Sequence, residues 1–129
     1  MNKTLIFAGL FGFLSIMLGA YVEHEMKGLV SLSEYRGLSQ ALKYQMLHSV
    51  VLLAVGLAIS SLNNNQAVVR FLPYIATSFI IGVILFSFTI YAEIIFKIAG
   101  ATELTPIGGV ILMFSWFMVF ILGFVGRKA

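Results

Sequence analysis

Cysteine is absent from the chain. Disulfides, thiolate metal sites and cysteine nucleophiles are therefore excluded, and the redox compartment stays open. Charge is scarce: Asp, Glu, Lys and Arg make up 10% of 129 residues, where soluble domains carry about 25%. The basic residues are scattered, and no run of them is longer than Arg127-Lys128. The net charge of +3 thus fits flanks facing lipid headgroups, and no nucleic-acid stripe is present. There is no nucleophile–base pair, phosphate loop or dinucleotide fingerprint, so no catalytic residue is assigned and no cofactor is expected.

What is present is apolar side chain: 60% of residues are hydrophobic and mean hydropathy is +1.04. A soluble fold of this size would expose large apolar areas to water, so the solvent implied is lipid. The expectation is an all-α integral membrane protein, a single domain over 1–129 built as an up-down-up-down four-helix bundle with short loops. The spans are expected near 4–22, 44–62, 71–96 and 106–126.

A basic start at Lys3 followed by an apolar run also fits a secretory signal, but Leu18 is a poor fit to cleavage after Ala20. A retained first helix is expected. Ala8, Gly12, Ser15 and Gly19 fall on one of its faces and would let a neighbouring helix approach. Ser31-Leu32-Ser33-Glu34 has the form of a capping box, so an interfacial helical segment is expected over 32–43, either continuing into the second span or bending at the interface. It would bring Tyr35, Leu38, Leu42 and Gln45 to one face. Asn63 to Gln66 reads as a tight polar turn, with Arg70 marking the membrane surface. Pro73 is expected in the first turn of the third span, and Gly82 as a packing position within it. Glu93 and Lys97 are spaced to pair along one helix face. Thr105 is expected to cap the fourth span, with Pro106 at its first position.

With this topology four helix ends share one membrane face. His24, Tyr44, Gln45, His48, Tyr91, Glu93 and Thr105 all fall there and form a candidate polar cluster. Gly108 and Gly109 at the same end are expected to pack the fourth helix against the third, with anion binding at that helix start as the other reading. His48, about one turn inside its span, is read first as an interhelical hydrogen bond and second as a ligand- or proton-handling group. His24, His48 and Glu93 are residue types that suit zinc, but they lack ligand spacing, and no metal site is expected. Ser115 and Trp116 read as packing residues.

Lys and Arg counts tie between the two membrane faces. The first and third loops also hold most of the acids, and the expectation is that both termini are cytoplasmic.

Gly19-Ala20-Tyr21 with His24, Tyr44-Gln45-Met46 with His48, Leu85-Phe86-Ser87 with Tyr91, and Thr105-Pro106-Ile107-Gly108-Gly109 with Trp116 follow in an order that resembles a known family. It is the small membrane proteins called domain of unknown function 423, whose animal relatives are transmembrane protein 256-like. The resemblance covers nearly the whole chain. Two departures stand out: Val22-Glu23 and Phe88-Thr89 replace small residues of the family pattern. The resemblance implies a four-helix integral membrane protein and supplies no activity.

Three functions fit these residues. The first is a non-enzymatic membrane module in the cell membrane: an accessory or assembly subunit, or a homo-oligomer, whose partners are membrane lipid and a second copy or another membrane protein. The second is a small transporter or channel, weakened because no acid lies in the middle of any span. The third is binding of a lipid or quinone at the polar end.

Overall fold

The computed structural model describes residues 1–62 and 67–125. The expected turn at 63–66 and the basic pair Arg127-Lys128 lie outside them. Among the described residues there are four helices long and apolar enough to cross a membrane. Helix one runs Lys3–Tyr21 and is extended by a π-helical turn, Val22–Met26. Helix two is Leu32–Ser61. Helix three spans Ala67–Ile94 and contains a π-helical turn at Ile84–Phe88. Helix four is Thr105–Val125, entered through a 3-10 turn at Ala101–Leu104.

The interfacial segment and the second span prove to be one helix. It opens where the sequence places it: Ser31 Oγ accepts from the Glu34 amide, and the Glu34 carboxylate accepts from the Ser31 amide, both at 3.1 Å. Past that box no Pro or Gly pair interrupts the run, and the 30 residues extend about 45 Å. Leu38 and Gln45 are buried and Tyr35 and Leu42 half-buried, so the expected face is the inward one.

Four local expectations are corrected. Helix three starts at Ala67, so Pro73 sits inside it and not in its first turn. The helix ends at Ile94, and Lys97 turns to φ 58°. The Ile98 amide then reaches back to the Ala92 carbonyl at 3.0 Å, so the chain leaves the helix through a left-handed residue. Glu93 and Lys97 therefore do not lie on one helix face. Thr105 is not a cap, because the preceding 3-10 turn already carries the helical path and Thr105 has αR geometry. Gly19 packs nothing: a Cβ there would meet no atom within 4 Å.

Helix three is the most buried of the four. Helix one packs chiefly on helix two, and helix four on helix three. One apolar cluster joins Phe11, Leu52, Ile75, Phe79, Val83 and Leu112, so all four helices contribute to it. A second, around Val22, Leu38, Tyr91 and Ile94, closes the end that carries the π-helical turn of helix one.

Glycine sets the closest approaches. A Cβ on Gly108 would lie 2.3 Å from the Phe86 backbone nitrogen, inside the π-helical turn of helix three. On Gly82 it would lie 2.7 Å from the Leu112 side chain, and on Gly56 2.6 Å from that of Leu5. Gly12 and Gly109 make only ordinary contacts, with Ser49 and Phe86. Gly56 was not singled out from the sequence. Its partner is an ordinary Leu on another helix, and the pairing depends on register.

Candidate functional site: a polar layer inside the bundle

The candidate polar residues do not form one cluster. They divide into three separate networks, and His24 is in none of them.

The first network is centred on Gln45, which is fully buried. Its Nε2 donates to the Phe11 carbonyl of helix one at 2.9 Å, and its Oε1 accepts from the Tyr91 hydroxyl of helix three at 2.7 Å. One amide thus ties three helices together. Ser87, also fully buried, adds a bond to the Ala41 carbonyl at 2.7 Å. It sits in the π-helical turn of helix three, where the local unwinding redirects side chains.

The second network is centred on His48, 1% exposed. Its Nδ1 lies 2.6 Å from the Tyr44 carbonyl, and its Nε2 accepts the Trp116 indole N–H at 3.1 Å. A carbonyl only accepts and an indole N–H only donates. The pair therefore fixes one neutral tautomer, with the proton on Nδ1. Both ring nitrogens are occupied, which leaves no lone pair on His48 for a metal ion or a substrate proton. Tyr44 stacks beside the imidazole, and Phe79 and Trp116 also pack against it. Trp116 lies midway along helix four, so His48 acts deeper than the mouth of its span.

The third network lies at the membrane edge. Glu93 accepts from the Gly100 amide at 3.0 Å and the Thr102 hydroxyl at 2.6 Å, holding the loop between helices three and four. Thr105 pairs with Thr89 at 2.7 Å across the same junction. His24 is exposed and forms no hydrogen bond among the described residues. It stays outside because the π-helical turn directs Val22 and Met26, not His24, into the core. Among the described residues no three His, Cys, Asp or Glu side chains converge as metal ligands would.

Sequence reading missed Trp116, Ser115 and Ser78 as polar partners. The two serines pair at 2.5 Å between helices four and three. A signal for Trp116 was available: its N–H in the middle of a span needs an acceptor, and His48 is the nearby span's imidazole. At the opposite end Asn2 joins two helices. It caps helix one through Leu5 and donates to the Gly56 carbonyl at 2.9 Å and to Ser60 at 2.7 Å. No buried side-chain N or O among the described residues lacks a partner.

The family described as protein of unknown function, DUF423, matches residues 18–109. This chain belongs to that family. A UPF0382 membrane protein of Haemophilus influenzae is 33% identical over 115 residues, 89% of this chain and 88% of the relative. A UPF0382 membrane protein of Staphylococcus aureus is 29% identical over 96% of this chain and 97% of its own length. The UPF0382 inner membrane protein YgdD of Escherichia coli K12 is 26% identical over 91% of this chain and 86% of its own. No solved structure matches the chain. The DUF423 match takes in Gln45, His48, Tyr91, Glu93 and Thr105 and stops before Trp116. The chain is thus an integral membrane protein of the DUF423 family, and its relatives carry membrane-protein names without an activity.

Proposed function

We propose that this protein is a non-enzymatic membrane module that serves another membrane protein, or a second copy of itself, as a rigid accessory subunit. The observation that carries this reading is the inward closure of its polar groups. Gln45, His48, Tyr91 and Glu93 each spend their hydrogen-bonding atoms on other parts of the same chain. Groups arranged that way hold helices in register and leave no poised acid or base. Both termini are proposed to lie on the cytoplasmic side.

The test uses the absence of native cysteine. Single substitutions Phe117→Cys and Phe120→Cys, on the exposed side of helix four, are crosslinked in native membranes, and the uncrosslinked protein is purified in native lipid. A discrete crosslinked species, or a partner that co-purifies at fixed stoichiometry, is expected. A monomer in native lipid with no partner and no crosslink would overturn the proposal.

A second reading rests on a separate feature. Between helices two and four lies a lipid-open cleft of about 360 Å³, lined by Tyr44, Phe86, Trp116 and Met113 with His48 at its floor. Such walls suit the flat ring of a quinone-like amphiphile. If mass spectrometry finds equal amphiphile retention in wild type and Trp116→Ala, that cleft is not a binding site.

A further inference from the structure

Helix two is longer than a membrane requires. Its Ser61 end is tied to the start of the chain, where Asn2 reaches Ser60. Measured back from that end, the ~30 Å hydrocarbon core accounts for about 20 residues. The level of Ala41 and Lys43 is therefore the opposite boundary, and Arg36 stands roughly 8 Å beyond it.

Arg36, Ser39, Gln40 and Lys43 line a shallow hollow of about 240 Å³ on this projecting segment. All four are exposed. At 100° per residue, Arg36, Gln40 and Lys43 share one face, directly opposite the buried Leu38, Gln45 and Leu52. Glu34 falls nearly on the far side, and its carboxylate is engaged with the Ser31 amide. Neither Arg36 nor Lys43 has an ion-pair partner among the described residues. Below Lys43 the same face continues as Leu47, Val50 and Leu57, all exposed. That stripe runs about 21 Å along the helix, longer than the ~15 Å half-thickness of the core that one acyl chain occupies.

We infer that this face of helix two binds an anionic diacyl phospholipid. Its phosphate sits between Arg36 and Lys43, and an acyl chain lies along Leu47 and Val50. Two unpaired cations at headgroup depth, with no acid on the face and an apolar track leading inward, complement such a lipid in both charge and length. Gln40, between the two cations, supplies an amide N–H for a phosphate oxygen.

The experiment is native mass spectrometry of the detergent-purified protein titrated with phosphatidylglycerol or phosphatidylcholine. Wild type is expected to retain phosphatidylglycerol about thirtyfold better than phosphatidylcholine, the scale that two basic groups near a surface supply. Arg36→Gln with Lys43→Gln is expected to abolish that preference, while Lys3→Gln at the other end leaves it intact. These are exposed positions, and an unchanged elution profile and thermal transition confirm the fold. A preference that survives the double substitution would overturn the inference. So would displacement of the lipid by millimolar inorganic phosphate, which would show an anion site with no role for the acyl track.

Discussion

His48 and Trp116 meet across helices that otherwise barely touch. An interhelical hydrogen bond in a membrane bundle contributes about 0.6 kcal/mol on average and up to about 1.7 kcal/mol. Trp116→Phe removes the donor and leaves His48 Nε2 unpaired, so a loss of about 1 kcal/mol is expected in micelle unfolding. His48→Ala removes the bond and the ring that Tyr44, Phe79 and Trp116 pack around, and a loss of about 2–3 kcal/mol is expected. The double variant should lose less than the sum of the two. Strict additivity within ~0.3 kcal/mol would show that the two side chains are not coupled. Tyr91→Phe strips Gln45 Oε1 of its donor in a dry interior, with an expected loss of about 1–2 kcal/mol in the same assay. His48 was legible in the sequence as a costly polar group inside a span, and Gln45 as a member of the polar set at its mouth. Their partners were not. A side chain's need for a bond is a property of the residue, whereas the atom that meets the need belongs to another helix.

At the scale of the element, glycines that look alike in sequence differ sharply. Gly108 lets helix four reach the backbone of helix three at Phe86, and that backbone cannot retreat as a side-chain tip can. Gly108→Ala is therefore expected to destabilise the bundle by about 2 kcal/mol or more. Gly19→Ala meets open space and is expected to change stability by less than about 0.5 kcal/mol. Unfolding both variants in the same detergent checks the contrast, and equal losses would refute the assignment of close packing to Gly108. The π-helical turn at Ile84–Phe88 shapes the same contact: it exposes the backbone that Gly108 meets and directs Ser87 to Ala41. Neither the turn nor the stop at Lys97 was visible beforehand, because hydropathy continues unchanged through both. The capping box at Ser31 was visible, since both of its hydrogen bonds form within four residues of chain.

For the whole molecule, the membrane sets the order of strength. Nothing apolar drives one helix onto another in lipid, so helix three, packed on several sides, and the polar ties it shares decide the arrangement. The orientation is open to direct test. Reporter fusions at the N-terminus and at Ala129 are expected to give cytoplasmic signals. Signals from the opposite side would reverse the proposed orientation and place the Arg36–Lys43 face on the cytoplasmic leaflet. An even number of spans requires the two reporters to agree, so opposite signals would contradict the four-span topology itself.

The chain's composition and its order of apolar runs were enough to determine its solvent, its helical class and its number of spans, because hydropathy and length act residue by residue along the chain. The resemblance carried by its ordered motifs likewise identified the family. Only the tertiary structure decided that helix two runs through the interface without a break, that His24 and Glu93 stand apart from His48, and that Trp116 completes the imidazole's bonding. Each of these depends on the rotation and depth of one helix against another. Those are set by glycine contacts and buried hydrogen bonds between residues tens of positions apart, which no local pattern encodes.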